Sequence, residues 1–167
     1  MRKRKKLMKK IKIESFLDVY PSKDALPEAI SSLMDAAFEA REKAYAPYSD
    51  FLVGAALLLD NGVVVTGNNQ ENACYPGGLC AERTAIFYAS SQYPDAVMVS
   101  MAITARAKDK ETTVPIPPCG ICRQAIAEYE IKQKSPISLY FMGERGEVLK
   151  SDSLENILPL LFTAKYL

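Results

Sequence analysis

The sequence predicts an α/β fold, a single sandwich with helices on the faces of a sheet. Three observations carry that expectation. Apolar residues between 26 and 45 recur at helical spacing, with Ile30, Leu33, Met34, Ala37, Phe38 and Ala44 on one stripe. An Asn61-Gly62 pair stands between two apolar runs, a strong hairpin signal. Beyond it, helical patterns alternate with short apolar runs. With 167 residues, 49% of them apolar, there is enough chain for one domain with a real core.

Taken in order, residues 11–20 alternate loosely and offer an edge strand. Pro27 suits the first turn of the helix expected over 26–45, and Pro47 ends the run. A strand over 51–59 turns at 60–62 and returns over 63–65. Gly54-Ala55-Ala56 in that strand leaves room on one face, either for another group to approach or for close helix packing. A helix is expected over 80–91, a buried strand over 97–104 and a polar loop over 105–113. The prolines at 115, 117 and 118 force an extended approach to Cys119, after which a helix runs over 120–131. A strand at 137–141, a turn at 143–146, the start of a strand at 148–149 and a short helix at 153–158 complete the chain. No repeat or linker interrupts it, so residues 11–167 read as a single domain.

Charge and composition narrow the function. The net charge is +1, but seven cations lie in the first ten residues, which leaves the other 157 at a net −6. Residues 1–10 read as a basic, solvated arm on an acidic body, a poor arrangement for nucleic acid unless the arm does all the binding. Met8 offers an alternative start. No apolar run approaches the ~20 residues of a membrane span, and the N-terminus lacks the apolar segment of a signal peptide. A cytoplasmic chain is expected. The C-x-x-C pair Cys119 and Cys122 then points to metal or redox chemistry rather than a structural bridge. There is no histidine, so a transition-metal site must rest on cysteine and carboxylate, and no Ser-His or Cys-His nucleophile exists.

Two segments concentrate the chemistry. Cys80-Ala81-Glu82 and Pro118-Cys119-Gly120-Ile121-Cys122 each begin an expected helix. A helix N-terminus carries partial positive charge and unpaired N–H groups, which favour thiolate over thiol. Cys80, Cys119 and Cys122 would supply three zinc ligands and leave a fourth tetrahedral position for water. Glu82 beside that water would carry its protons. Arg83 is placed to offset the net charge of about −1 that three thiolates leave on a divalent ion, or else is a surface helix arginine. The rival reading is a closed site of four thiolates including Cys74, but its spacing to Cys80 is unusual and such a site needs no Glu82. Cys74 is otherwise expected as a small buried apolar residue. By residue type alone, Asn69 and Glu71 are strand-end polar groups, and Phe51 and Phe162 are core residues.

Taken together, Asn69-x-Glu71-Asn72-Ala73, Cys80-Ala81-Glu82-Arg83-Thr84-Ala85 and Pro118-Cys119-Gly120-x-Cys122-Arg123-Gln124 resemble the small, homotetrameric class of cytidine deaminases. Tyr48-Ser49-x-Phe51-x-Val53-Gly54-Ala55-Ala56 is similar to that family's N-terminal signature, and the resemblance spans roughly 26–165. It implies a three-layer α-β-α sandwich with a mixed five-stranded sheet. It implies zinc on Cys80, Cys119 and Cys122, Glu82 as proton shuttle, and hydrolysis of cytidine and deoxycytidine to uridine and deoxyuridine plus ammonia, a step of pyrimidine salvage. By the same resemblance Asn69 and Glu71 bind ribose hydroxyls, the Ala81 backbone N–H holds the base, Phe51 flanks the pyrimidine, and Phe162 reaches a neighbouring subunit's pocket. The carboxylate of Glu71 suits neutral hydroxyls and would repel a phosphate, which favours a nucleoside. The alternatives are another aminopyrimidine such as blasticidin S, or a nucleic-acid base. Two departures stand out, the N-terminal extension through about Leu26 and Pro117 ahead of Pro118.

Overall fold

The computed structural model describes residues 8–167. Most of the expected basic arm lies outside that range, and residues 8–10 are exposed without regular structure. Strands β1 (Asp18–Tyr20), β2 (Phe51–Leu59), β3 (Val64–Asn68), β4 (Met98–Ala107), β5 (Ser138–Met142) and β6 (Val148–Ser151) make one sheet in the order β1-β6-β5-β4-β2-β3. Neighbours pair antiparallel except β4 and β5, which run parallel, so the sheet is mixed. It has six strands where the resemblance implied five. The sixth is β1, the edge strand that residues 11–20 offered, with Val19 opposite Leu149 and Lys150 paired to Asp18 at 3.2 Å.

Helix α1 (Glu28–Arg41) covers one face, and α2 (Ala81–Gln92), α3 (Gly120–Gln133) and α4 (Leu154–Ile157) cover the other. The alternation of β2 explains both contacts. Ala56 meets Leu33, Met34 and Ala37 of α1, while Ala55 and Leu57 join Ala85, Ile86 and Ile126 on the opposite side. Central β4 is buried on both faces, which is why it reads as an almost continuous apolar run.

Two glycines set how closely the layers approach. A Cβ on Gly54 would lie 2.0 Å from the Ala37 carbonyl of α1. A Cβ on Gly67 would lie 2.5 Å from both the Ala81 carbonyl and the Ala85 nitrogen of α2. Close helix packing is therefore what the small residues of β2 and β3 permit, and Gly67 is what lets the first turn of α2 sit against the sheet. Between β2 and β3 the turn puts Gly62 at φ 83°, with the Leu59 N–H donating to Val63 at 2.9 Å.

Boundaries depart from expectation where partners distant in sequence intervene. The first helix stops at Arg41 rather than 45, because Tyr45 leaves it to donate to the Asn69 carbonyl at 3.0 Å and accept from Glu71 at 2.9 Å. Strand β4 runs past 104 to Ala107, three residues into the expected polar loop, because Phe51 pairs with Ala107 and Arg106 reaches Glu42 at 2.8 Å. No helix among the described residues is long and apolar enough to cross a membrane.

Candidate metal and active site

Cys80 and Cys119 stand at the N-cap positions of α2 and α3, and Cys122 lies in the first turn of α3. Both helix starts converge, so the Cys80 and Cys119 sulfurs are 3.9 Å apart and those of Cys119 and Cys122 3.4 Å apart. All three sulfurs lie within 4.8 Å of one another. Tetrahedral zinc with Zn–S bonds of ~2.3 Å requires sulfurs separated by about 3.8 Å. The cluster fits that requirement, and thiolate is the ligand chemistry zinc takes in such sites.

The electrostatics agree. The Cys80 thiol is pushed down to about 5, chiefly by a hydrogen bond from Cys122 and, against the opposing effect of burial, by Arg83 and Cys119. The Cys122 thiol is held up by that same bond and by burial. Arg83 points Nη2 at the Cys80 sulfur, 3.9 Å away, and at the Gly78 carbonyl, 3.5 Å away. Its buried Nε–H has no partner among the described residues. A guanidinium so placed is suited to offset surplus thiolate charge.

Glu82 is 4% exposed, one step past Ala81, which is fully buried. Burial raises its carboxyl to about 7; the negative Cys80 sulfur pushes the same way, and a hydrogen bond from Cys122 opposes it. The carboxyl is thus within hydrogen-bonding reach of the Cys122 sulfur and feels the charge of Cys80.

In front lies an open cavity of about 470 Å³ whose walls include Tyr48, Asn69, Glu71, Leu79, Cys80 and Arg83. Tyr48 and Tyr75 both line it and meet edge to face, with ring centroids 6.1 Å apart. Asn69 is already bonded on both sides of its amide: Oδ1 accepts from Val53 at 2.8 Å and Nδ2 donates to Phe51 at 2.9 Å. One amide N–H and one lone pair remain. Glu71 accepts the Tyr48 and Ser49 amides at 2.9 and 3.3 Å and the Ser49 hydroxyl. Burial would raise its pKa, but the Ser49 hydroxyl and those amides outweigh it and hold the carboxyl below the ordinary glutamate value. The charge is kept, and about one acceptor site stays free.

Six expected site residues are not in that wall: Phe51, Ala81, Glu82, Cys119, Cys122 and Phe162. Phe51 is half-buried at the start of β2, and Phe162 is 57% exposed, stacked on Tyr166 with centroids 5.9 Å apart. The expectation that Cys74 is buried fails. Cys74 is exposed, just before a short 3-10 turn, its amide bonded to the Asn72 side chain at 2.8 Å. It is no part of the sulfur cluster, and a fourth thiolate is absent from it among the described residues. Residue-type reasoning gave Tyr48 and Ser49 no role; the signal available was their position one short turn before β2. It also left Arg123 and Gln124 unassigned.

The model of the family described as the cytidine and deoxycytidylate deaminase zinc-binding region matches residues 27–135. This chain belongs to that family. A cytidine deaminase of Halalkalibacterium halodurans is 42% identical over 133 residues, 80% of this chain and 93% of its own length. One from Sporosarcina psychrophila is 38% identical over 134 residues, 80% of this chain and 91% of its own length. Among solved structures, the cytidine deaminase of Burkholderia pseudomallei superposes with a TM-score of 0.69 at 39% identity, covering 78% of this chain and 97% of that one. Membership makes the chain a zinc-dependent deaminase, an enzyme acting on a C–N bond, and the sulfur cluster is where its described residues can hold the metal. The family match starts at 27, one residue before α1, so β1 lies outside it.

Proposed function

We propose that the enzyme hydrolyses the exocyclic amine of free cytidine and deoxycytidine, taking up one water and releasing uridine or deoxyuridine and ammonia. The observation that carries this reading is a cluster of three converging cysteine sulfurs, with the buried carboxyl of Glu82 bonded to Cys122, and with Cys80 lining a cavity that also takes in Asn69 and Glu71. Cys80, Cys119 and Cys122 would hold a zinc ion, whose Lewis acidity would make water nucleophilic near neutral pH. Glu82 takes a proton from that water as it adds to C4 and passes it to ring N3. The same carboxyl then takes the proton of the new C4 hydroxyl and delivers it to the departing amino nitrogen, so that the C4–N bond breaks as the C4 carbonyl forms. Arg83 tempers the thiolate charge. Ala81 is the first residue of α2, where backbone N–H groups have no partner within the helix, and its N–H holds the base. Asn69 and Glu71 use their remaining hydrogen-bonding capacity on ribose hydroxyls.

The retained negative charge of Glu71 supports a nucleoside over a nucleotide, since a phosphate there would be repelled. Phe51 flanks the pyrimidine, and Phe162 enters the site of a neighbouring subunit in a homotetramer. We place the enzyme in the cytoplasm, in pyrimidine salvage, with residues 1–10 as an arm outside a single catalytic domain over 11–167. The test is zinc content measured together with ultraviolet loss of cytidine, with cytidine monophosphate and a cytosine oligonucleotide as comparators. About one zinc per chain and turnover of the nucleoside alone are expected. Metal-loaded protein that leaves cytidine unchanged would overturn the reading.

A further inference from the structure

We propose that Arg123 and Gln124, which directly follow Cys122, are positioning residues that tie the metal cluster to the C-terminal segment bearing Phe162. The inference deepens the deaminase reading and rests on it. After α4 the chain has little regular structure: Leu160 is 90% exposed at φ 61°, a left-handed conformation costly for a side-chain-bearing residue. Leu158 donates back to Leu154 at 2.8 Å, and Leu161 packs against the core. Such a segment takes its path from outside contacts, and α3 supplies them. Arg123 Nη1 donates to the Ile157 carbonyl at 2.8 Å, where the segment begins. Gln124 Nε2 donates to the Phe162 carbonyl at 3.0 Å, where it ends. With its Nε, Arg123 also holds the Pro118 carbonyl at 2.8 Å, one residue before Cys119. One guanidinium therefore spans the ligand loop and the root of the segment, and the next side chain fixes the backbone of the aromatic.

Geometry divides the two roles. The hydrogen bond of Gln124 goes to the aromatic end, so its loss should disturb substrate capture and leave the metal alone. Arg123 touches both ends, and a lysine, with a single compact ammonium in place of the guanidinium fork, cannot bridge two carbonyls as it does.

The test uses the full-length zinc enzyme and three variants. Gln124→Ala removes the donor; Gln124→Glu keeps the shape but sets an acceptor against the Phe162 carbonyl. Both should raise KM for cytidine roughly fivefold, the scale of one lost hydrogen bond, with kcat within about twofold and zinc content and thermal midpoint unchanged. Arg123→Lys should raise KM and also shed zinc to a chelator about tenfold faster, the scale of a lost partner behind a metal ligand. KM unchanged in both Gln124 variants, a normal Gln124→Glu beside an impaired Gln124→Ala, or a fall in kcat with KM unchanged would each overturn the proposal. An unmodified enzyme that holds zinc but ignores cytidine sinks the deaminase reading instead. The chelator rate of Arg123→Lys then still decides the clamp, an unchanged rate counting against it.

Discussion

Glu82 combines three properties that chemistry at this site needs: a carboxyl, near-complete burial, and a hydrogen bond with the Cys122 thiol. Replacing it with glutamine keeps shape and burial but removes the proton carrier. Glu82→Gln should retain about one zinc per chain while kcat falls by roughly 10³, within the range for general acid–base groups. Metal analysis beside steady-state kinetics checks both halves, and zinc lost with activity would mean the carboxyl serves the metal instead. Cys74→Ser should change neither quantity, since Cys74 is exposed and stands outside the cluster. The three cysteines of the cluster were legible in the chain because each lies in a short local motif, although Cys80 and Cys119 are 39 positions apart and only the fold brings their sulfurs together. What Asn69 and Glu71 do was less legible. Their bonds run to Phe51, Val53, Tyr48 and Ser49, sixteen to twenty-three positions away, and only the fold brings those groups together.

The first turn of α2 carries Ala81 and Glu82, and its seat against the sheet depends on Gly67 of β3. An added methyl would meet backbone atoms of Ala81 and Ala85, which cannot swing aside as a side chain can. Gly67→Ala should therefore cost about 1–3 kcal/mol, as overpacking does, and lower the thermal midpoint by roughly 5 °C. Because the displaced turn starts at Cys80, zinc should also be lost at lower chelator concentration; scanning calorimetry with a chelator titration reads both. A destabilised variant with unchanged zinc affinity would show that the seat serves stability alone. At this scale the elements themselves were legible, since periodicity and turn residues are local. Their ends were not: Arg41 ends α1 because Tyr45 is claimed by Asn69 and Glu71, and β4 continues because Phe51 holds Ala107.

For the whole molecule, the question is whether one chain makes a complete site. The 470 Å³ cavity opens widely to solvent, and Phe162 stands exposed on the surface, outside its wall. Tyr166 and Leu160 extend an exposed apolar region around it. An aromatic that completes a pocket from outside its own chain predicts complementation between defective subunits. If Phe162 completes a neighbour's site, as proposed, Phe162→Ala chains should show a raised KM. Glu82→Gln chains should be nearly inactive while still presenting Phe162. Co-expressed with different affinity tags and purified through both, the mixed assembly contains sites with an intact Glu82 from one chain and an intact Phe162 from the next. Their KM should return to that of the unmodified enzyme, so activity at low cytidine should exceed that of the Phe162→Ala assembly, counted per intact Glu82. If Phe162 serves only its own chain, no such site forms. The mixed assembly would then keep the raised KM at every ratio, and the site would have to be closed by residues of a single chain.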